Sequence, residues 1–571
     1  MEPFSSLLAV LEHRAATQGD ERALVFLTDR GAEDSSLTFR ALHDAAHSVA
    51  QRLAAVAQPG DRALLVFPPG LEFVIAFFGC LIARVIAVPM MVPRRQSARD
   101  SSASIMGNCK PAVALTSPGL AARDDLVARF AGHDLHWLTV DLAPGASDAI
   151  DLPRPRHDDI AFLQYTSGST SEPKGVVVTH AMLLANMAMA QAYLGTDRHS
   201  TCVNWVPHYH DMGLILSIVG SLYLGALCVL VSPSGFMQRP LIWLRAVSDY
   251  KGVISAAPNF AYDLCVARLR ADQMEGVDLS SWKITLSGAE PIRAATIEKF
   301  VETFGAYGFK PTSINPGFGM AEATLIVAMS PVGAGHDTRT VSRAAMQANI
   351  IRAPDNRGDA HVLVGCGYPV PDSRLAIVDP QTLRRLPADT VGELWINGPH
   401  VASAYWGNPA ASAASLHAHI DGEDGDWLRS GDLGFLDTKG QLFITGRIKD
   451  LIIVRGMNHY PQDIELTVER AHAALRQNGG AAFSVPDERG EETLVVVQEV
   501  ERTARNRIDP EEITGVIREA VTQEHEVFAR HIVLIRPQTL PKTTSGKVQR
   551  ALTRKLWLEG KLDYLTTEPA A

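Results

Sequence analysis

Short apolar runs of strand length alternate with longer apolar runs of helical length in the first 160 residues of the chain. Residues 63–70 and 85–88 are predicted to be strands, and residues 71–83 between them have the length of a helix. Further short apolar runs predict strands at 112–116, 136–140, 176–178, 252–257 and 282–288. Strands that alternate with helices in this way predict an α/β fold with a substantial amount of parallel sheet.

The pattern changes after about residue 360, where the apolar segments become typical of hairpins. These segments are 374–380, 391–398, 432–448 and 494–500. Two helices are predicted after them, at 511–527 and 548–560. We therefore divide the chain into an N-terminal domain of residues 1–446, a connection at 447–450 and a C-terminal domain of residues 451–571.

One apolar run, residues 214–231, contains eighteen residues without a charge, which is the lower limit of length for a membrane span. Gly225 interrupts the run, and neither flank carries clustered Lys or Arg. A buried helix at 214–223, a glycine turn and a buried strand at 226–231 fit the pattern better than a membrane span.

Composition supports a large globular protein. The 571 residues are 46% hydrophobic and 20% charged, which excludes a largely disordered or fibrous chain. The net charge of −10 argues against a nucleic-acid-binding protein. The six cysteines form no CxxC pair or zinc knuckle, and the first residues do not resemble an export signal. We therefore expect a cytoplasmic protein without a transmembrane segment.

The strongest candidate for chemistry is the segment from Tyr165 to Gly175, YTSGSTSEPKG. Its small residues, hydroxyls and single lysine can bring backbone N–H groups and one ammonium to a polyphosphate. It lacks the Gly-Lys-Ser/Thr ending of a Walker loop. The alternative is a plain turn with a solvated lysine. The candidate phosphate ligands are Thr166, Ser167, Gly168, Ser169, Thr170 and Lys174.

This segment resembles the phosphate loop of the adenylate-forming superfamily, which includes acyl-CoA synthetases, luciferases, peptide-synthetase adenylation domains and fatty acyl-AMP ligases. Five further motifs of that superfamily follow in the expected order, at 287–291 (SGAEP), 317–324 (GFGMAEAT), 427–432 (WLRSGD), 446–450 (GRIKD) and 540–547 (LPKTTSGK). The resemblance implies a large N-terminal adenylate-forming domain with mixed sheets and helices, followed by a small, mobile α+β C-terminal domain.

The resemblance also assigns roles to residues of these motifs. Glu322 is expected to hold Mg²⁺ against the phosphates of ATP, since a hard cation prefers carboxylate oxygen. Phe318 is expected to stack on adenine, and Asp432 to accept the ribose hydroxyls. Arg447 is expected to contact ribose or phosphate. The remaining nucleotide-binding candidates are Gly288, Ala289, Glu290, Gly319 and Met320.

Lys547 is the most important residue that the resemblance implies. A carboxylate that attacks the α-phosphate brings two anions together, and a lysine between them lowers that repulsion. The family carries this lysine on the mobile domain, and Lys449 matches the position where the domain rotates. Five basic residues and no acid lie between Lys542 and Lys555. This run could instead be a solvated face or a docking patch for an acidic carrier protein.

The segment NWVPHYHDMGLI, residues 204–215, resembles the signature of fatty acyl-AMP ligases. His210 is then expected near the reacting carboxylate, and it completes the catalytic candidates Lys547, Glu322, His210 and Thr166. The apolar run that follows, up to residue 231, favours a substrate acid with an alkyl chain. The substrate-binding candidates are His210, Asp211, Met212, Gly213, Met320 and Ala321.

A second branch feature is the long connection between Glu322 and Cys366. Fatty acyl-AMP ligases carry an insertion here that restrains the C-terminal domain and disfavours free coenzyme A. We map the insertion to about 335–362. The alternative is an ordinary mobile loop, and the sequence PDNRGD at 354–359 is typical of a turn.

The resemblance therefore implies an enzyme that uses ATP and Mg²⁺ to convert a medium- or long-chain fatty acid into acyl-adenylate and pyrophosphate. The acyl group is expected to pass to the phosphopantetheine thiol of an external acyl carrier protein, in polyketide, nonribosomal peptide or lipid biosynthesis. The first alternative is a long-chain fatty acyl-CoA ligase. The second is a non-catalytic module that binds an acyl group or a nucleotide.

Overall fold

The computed structural model describes residues 4–93, 102–127, 130, 135–143, 151–166, 173–454, 457–505, 507–543 and 546–565. Its helices are α1 (Leu7–Gln18), α2 (Phe39–Ala54), α3 (Leu71–Ile82), α4 (Ser102–Cys109), α5 (Pro118–Ala121), α6 (Asp124–Val127), α7 (His180–Leu194), α8 (Gly220–Leu224), α9 (Pro233–Gln238), α10 (Leu241–Asp249), α11 (Asn259–Ala267), α12 (Ala294–Gly305), α13 (Arg343–Gln347), α14 (Pro409–Leu416), α15 (Pro461–Ala471), α16 (Pro510–His525) and α17 (Arg550–Leu558). A π-helix spans Met212–Val219, and 3₁₀ turns lie at Ala271–Gln273, Pro311–Ser313, Ala321–Ala323, Arg357–Asp359 and Ile448–Asp450.

The strands are β1 (Arg22–Leu27), β2 (Glu33–Thr38), β3 (Arg62–Val66), β4 (Ile86–Met90), β5 (Val113–Thr116), β6 (His136–Thr139), β7 (Ile160–Thr166), β8 (Lys174–Thr179), β9 (Cys202–Asn204), β10 (Cys228–Val231), β11 (Ile254–Ala257), β12 (Ile284–Ser287), β13 (Ile314–Gly319), β14 (Ile326–Met329), β15 (Thr338–Ser342), β16 (Ala360–Val364), β17 (Tyr368–Pro369), β18 (Arg374–Val378), β19 (Gly392–Asn397), β20 (Leu428–Leu436), β21 (Leu442–Arg447), β22 (Ile452–Val454), β23 (Met457–His459), β24 (Leu475–Pro486), β25 (Glu492–Val500) and β26 (Ala529–Ile535). Each strand predicted from the short apolar runs is present, with bounds shifted by a few residues.

Two large sheets form the N-terminal part. A nine-stranded sheet has the order β17-β14-β13-β12-β11-β9-β10-β1-β2, and a six-stranded sheet has the order β6-β5-β3-β4-β7-β8. Their central pairs are parallel, whereas the edge pairs β1–β2, β13–β14, β14–β17 and β7–β8 are antiparallel. This arrangement confirms the α/β fold with a largely parallel sheet.

Helix α3 shows why the layers pack closely. Every residue of α3 except Glu72 is buried, so the helix lies inside the protein rather than on its surface. It packs against α2, and a Cβ built at Gly79 would lie 2.5 Å from a methyl carbon of Val49. A larger residue at Gly79 would therefore push the two helices apart.

The later part of the chain is built from smaller sheets. Strands β18-β19-β20-β21 form an antiparallel sheet, and β24-β25-β26 form a three-stranded sheet beside α15 and α16. Two apolar clusters, within 452–534 and 481–562, are separate from the main core of residues 7–442. A smaller cluster, within 341–460, crosses the predicted connection at 447–450. The domain boundaries themselves stay a prediction.

The uncharged run at 214–231 folds inside the protein. It forms most of the π-helix, then α8, a turn at Gly225 with φ of 72°, and the buried strand β10. Across the described ranges, no helix is both long enough and apolar enough to cross a membrane. The interpretation as helix, glycine turn and strand is therefore confirmed.

Candidate functional site

A cleft of about 2650 Å³ lies between the N-terminal and C-terminal parts of the chain. It is lined by nearly all the described residues that the sequence nominated: Thr166, Lys174, His210, Asp211, Met212, Gly288, Ala289, Glu290, Phe318, Gly319, Met320, Ala321, Glu322, Asp432, Arg447, Lys449 and Lys547. Residues from motifs almost 400 positions apart in the sequence therefore face one space. The candidates Ser167, Gly168, Ser169 and Thr170 lie outside the described residues.

Gly213 is the one described candidate that is absent from this lining. A Cβ built on it would lie 2.1 Å from the carbonyl oxygen of Pro207. Its contribution is therefore steric, because only glycine lets the start of the π-helix approach the preceding turn so closely.

The phosphate-loop candidate connects β7 and β8. Thr166 pairs with Lys174 across this antiparallel hairpin, so both ends of the loop are fixed at the edge of the six-stranded sheet. The ammonium of Lys174 lies 4.7 Å from the ring centre of Tyr405, a cation–π distance.

Glu322 lies in a tight turn between β13 and β14. The N–H of Leu325 donates to the carbonyl of Ala323 at 2.6 Å, and Thr324 adopts φ of 61° and ψ of −64°, a strained conformation for a β-branched residue. Tyr405 donates a hydrogen bond to Glu322 Oε1 at 3.1 Å. Burial raises the pKa of Glu322, although this hydrogen bond and the charge of Arg447 act in the opposite direction.

Close backbone approach shapes the region assigned to adenine. A Cβ at Gly288 would lie 2.9 Å from the carbonyl oxygen of Gly317, which explains the glycine there. Ala289 next to it has φ of 66°. Phe318 is half-buried and faces the same cleft. The Glu290 carboxylate accepts the N–H of Phe260 at 2.6 Å, so this side chain already has a structural partner at the start of α11.

Asp432 and Arg447 are direct partners across the β20–β21 pair. The guanidinium Nε of Arg447 donates to Asp432 Oδ1 at 2.7 Å. Burial raises the pKa of Asp432, while the nearby positive charges of Arg447 and Lys547 oppose that rise. The pair places one acceptor and one cation at the same point of the cleft.

Lys547 reaches the cleft from the C-terminal part of the chain. Burial lowers the pKa of its ammonium group, and the positive charge of Arg447 adds to this effect. The carboxylates of Asp211, Glu290 and Asp432 oppose it. The backbone of Lys547 is held by two hydrogen bonds with Thr543, at 2.7 and 3.0 Å. Lys547 therefore brings a positive charge into a cleft lined by carboxylates.

His210 and Asp211 form a close pair at the start of the π-helix. The His210 Nδ1 and Asp211 Oδ1 atoms lie 2.6 Å apart. Burial would raise the pKa of Asp211, but the interactions with the neighbouring His210 ring and the charge of Lys547 outweigh it and lower the pKa to about 2. By contrast, burial lowers the pKa of His208 to about 3, and its ring packs on Phe73 in the core. His208 is therefore a neutral core residue.

Apolar side chains also line the cleft. They include Trp205, Leu216, Met237, Phe260 and Leu264. Of the apolar run that was expected to receive an alkyl chain, most residues pack into the protein core, and only a few face the cleft. The apolar lining is assembled from several segments rather than from that single run.

The two family comparisons cover almost the whole chain. Residues 11–406 match the family model described as AMP-binding enzyme. The chain belongs to the AMP-binding enzyme family. Residues 449–567 match the model described as Disco-interacting protein 2-like, AMP domain. The second match begins inside the predicted connection at 447–450.

Individual relatives identify the branch of this AMP-binding family. The medium-chain-fatty-acid–[acyl-carrier-protein] ligase JamA of Moorena producens is 40% identical, over 98% of this chain and 96% of its own. A 4-hydroxyphenylalkanoate adenylyltransferase of Mycobacterium tuberculosis is 35% identical, over 98% and 93%. A fatty acyl-adenylate ligase of L. pneumophila, solved with acyl adenylate and pyrophosphate, is 36% identical with a TM-score of 0.73, over 98% and 97%.

These similarities confirm the resemblance to fatty acyl-AMP ligases and the predicted fold class. The protein is an enzyme of the adenylate-forming ligase type. The assignment of individual site residues stays a prediction that rests on the geometry of the cleft.

The predicted insertion of this AMP-binding enzyme contacts the C-terminal part. Residues 335–362 contain β15, α13 and the first part of β16, which pairs antiparallel with β15. Arg343 donates to the carbonyl oxygen of Glu524 at 2.6 Å, and Asn458 donates to Asn349 at 3.2 Å. His361 Nε2 lies 3.7 Å from a carboxylate oxygen of Asp463. The insertion is thus an ordered segment with polar contacts to the other part of the chain.

Tyr405 is the residue of this site that the sequence motifs missed. It lies between β19 and α14, outside every motif that carries the resemblance. It is 6% exposed and contacts both Lys174 and Glu322. No local sequence signal marks it, because its partners come from positions 83 and 231 residues away.

The residues present fit a magnesium ion that is delivered with ATP. Within the described ranges, no group of three His, Cys, Asp or Glu side chains could hold a metal by itself. Glu322 supplies one half-buried carboxylate in the cleft. This suits Mg²⁺, which protein sites of this kind hold through one or two carboxylates, water and substrate phosphates.

Proposed function

We propose that this enzyme joins a medium- or long-chain fatty acid to ATP, forms acyl-adenylate and pyrophosphate, and then passes the acyl group to an acyl carrier protein. The observation that carries the first step is the position of Lys547. It lies in the same cleft as Glu322, His210 and the Asp432–Arg447 pair. A triphosphate and a fatty carboxylate bound in this cleft would lie between the ammonium group of Lys547 and these polar side chains.

Each of these residues has a separate role in the formation of acyl-adenylate. The fatty carboxylate attacks the α-phosphorus, the bond to the β-phosphate breaks, and pyrophosphate leaves with the electron pair. Lys547 stabilises the negative charge that builds up between the two anions. Asp432 and Arg447 orient the ribose, and Phe318 packs on adenine. When bound at Glu322, Mg²⁺ would neutralise charge on the phosphates.

The second step needs a thiol. The sulfur attacks the acyl carbonyl carbon, a thioester forms, and AMP leaves. The ordered insertion and its contacts to Glu524, Asn458 and Asp463 support a carrier-bound thiol over free coenzyme A, because they oppose the domain rotation that the resemblance links to coenzyme A use. The carrier protein would be a separate chain.

An aliphatic substrate is supported by the apolar lining at Trp205, Leu216 and Leu264. Each buried methylene would contribute about 0.8 kcal/mol without needing a polar partner. A reducing, cytoplasmic location is supported by the six cysteines, which are all buried free thiols.

The test supplies purified protein with ATP, Mg²⁺ and single carboxylic acids, namely fatty acids of increasing length and a 4-hydroxyphenylalkanoic acid. Pyrophosphate release and acyl-adenylate are measured together. We expect both products with fatty acids. Activity confined to the aryl acid would overturn the substrate class, and no pyrophosphate with any acid would overturn the reaction.

A second assay adds either coenzyme A or phosphopantetheinylated carrier protein to preformed acyl-adenylate. We expect thioester on the carrier protein at a rate at least ten times that with coenzyme A. Equal rates would assign the enzyme to the fatty acyl-CoA ligases instead.

A further inference from the structure

A segment outside the recognised motifs connects the two halves of the phosphate site. Residues 400–406, which we call the strap, run between β19 and α14. Ala402 N–H donates to the carbonyl oxygen of Glu322 at 2.8 Å. The hydroxyl of Thr324 donates to the carbonyl oxygen of His400 at 2.7 Å. One end of the strap is therefore fastened to the strained turn that carries Glu322.

The other end of the strap extends the six-stranded sheet. Tyr405 pairs with Val176 as an antiparallel bridge on β8, the strand that leaves the phosphate loop. Trp406 N–H donates to the carbonyl oxygen of Gly175 at 2.7 Å, and Val177 N–H donates to that of Ala404 at 3.0 Å. A shift of Gly175, at the end of the phosphate loop, would therefore also displace the strap.

The Tyr405 side chain joins the same two elements by a second route. Its hydroxyl donates to Glu322 Oε1, and its ring lies beneath the ammonium of Lys174. Its backbone N–H donates to the hydroxyl of Ser412 at 2.9 Å, which fixes the tyrosine from the side of α14. A hydroxyl donor on one carboxylate oxygen orients the carboxylate and leaves the other oxygen available for a ligand.

We propose that Tyr405 is a positioning residue that holds Glu322 and Lys174 at a fixed separation, so that both meet the triphosphate of Mg-ATP together. The inference rests on the proposed function for the identity of the ligand. It assigns two separable tasks to one side chain. The hydroxyl orients the carboxylate that faces Mg²⁺, and the ring supports the lysine that faces phosphate.

The chain offers a matched control for the hydroxyl. Tyr250 donates a hydrogen bond to Glu33 Oε2 at 3.0 Å, so it repeats the tyrosine–glutamate contact away from the cleft. Tyr250→Phe removes the same kind of bond without touching the phosphate site. A change seen in Tyr405→Phe but not in Tyr250→Phe is therefore specific to the cleft.

The experiment measures ATP binding by calorimetry without fatty acid, once with Mg²⁺ and once with EDTA, and compares thermal melting of every variant. For Tyr405→Phe we expect ATP affinity in EDTA to stay within twofold of wild type. The gain in affinity on adding Mg²⁺ should fall about tenfold, as for loss of one hydrogen bond to a charged group. Tyr405→Leu also loses the ring, so its affinity in EDTA should fall about fivefold.

Pyrophosphate release completes the test. Tyr405→Phe should need about ten times more Mg²⁺ for half-maximal rate, while the KM for the fatty acid is unchanged. A wild-type response to Mg²⁺ in Tyr405→Phe overturns the proposal, and so does an equal change in Tyr250→Phe. If Tyr405→Phe does not fold, Ser412→Ala, which loosens the strap from outside the cleft, is judged by the same criteria. Loss of the magnesium effect on binding with no pyrophosphate from wild type would uphold the positioning role and reject the proposed reaction.

Discussion

Glu322 and Lys547 face the same cleft, but they are held in different ways. Glu322 lies in a turn that is fastened to the strap by two hydrogen bonds, and its carboxylate is oriented by Tyr405. Lys547 lies in a turn whose described backbone hydrogen bonds are local, to Thr543. The Glu322 side of the cleft is thus held by distant segments, whereas the described backbone hydrogen bonds of the Lys547 turn stay within the C-terminal part.

From this difference we propose that nucleotide binding and the chemical step depend on different sides of the cleft. Glu322 and the residues around it should bind nucleotide without help from Lys547. The charge of Lys547 should be needed only for the chemical step.

Lys547→Ala should have the largest effect. We expect the rate of acyl-adenylate formation to fall by about 10²–10³, because a preorganised cation is lost at the point where negative charge develops. ATP binding measured by calorimetry and thioester formation from preformed acyl-adenylate should change by less than threefold. Equal losses in both half-reactions would show that the lysine is structural.

Gly546→Ala tests how the Lys547 turn docks. Gly546 has φ of 90°, and a Cβ built there would lie 3.0 Å from the ring of Phe260. A left-handed conformation costs a non-glycine residue about 1–2 kcal/mol, so we expect about tenfold slower adenylate formation. Gly560→Ala is the matched control, since Gly560 has φ of 65° with open space around it. It should lower the melting temperature without slowing adenylation.

Asp463→Ala should weaken the contact between the insertion and the C-terminal part, because it removes the partner of His361. We expect coenzyme A thioester formation to rise about two- to fivefold, in line with the small energy of a single partly exposed polar contact. Asp487→Ala, which removes the partner of Arg530 instead, should leave this rate unchanged. If coenzyme A thioester formation does not rise in Asp463→Ala, this contact does not determine which thiol the enzyme uses.

The pH dependence should give the smallest effect. Burial lowers the pKa of Lys547, so its ammonium form is fully present at low pH and is lost as pH rises through a value below the usual ~10.4. The kcat/KM for adenylation should therefore fall on the alkaline side earlier than an exposed lysine would predict. Lys547→Arg keeps its charge and should move this limb to higher pH. If the alkaline fall in kcat/KM is unchanged in Lys547→Arg, it arises from the titration of another group.

Much of the fold could be predicted from the sequence because the apolar runs have distinct lengths. Helix α3 and the buried strands β3, β4, β5 and β12 follow directly from such runs. The cleft was predictable in part, since the motif residues Glu322, Asp432 and Lys547 do share it. That these residues meet in one cleft could be predicted from a resemblance over the whole chain, but not from their spacing in the sequence.

Other features could not be predicted from the sequence, for physical reasons. The apolar run at 214–231 shows that its side chains avoid water, but it does not show which of them face a ligand and which face the core. Tyr405 depends on backbone pairing with β8, a contact between residues more than 200 positions apart. Contacts of that range depend on the packing of whole layers, and no short motif encodes them.

The π-helix at Met212–Val219 should make the region after Asp211 tolerant of the loss of one residue. Its N–H groups reach five residues back, as in the bond from Gly220 to Ile215, so it accommodates one more residue per turn than an α-helix does. Deleting one residue from an α-helix turns the residues on either side by about 100° relative to each other. Here the segment could rewind as an α-helix and take up much of that rotation. The orientation of the preceding His210–Asp211 pair should therefore be less sensitive to a one-residue deletion than it would be beside an α-helix.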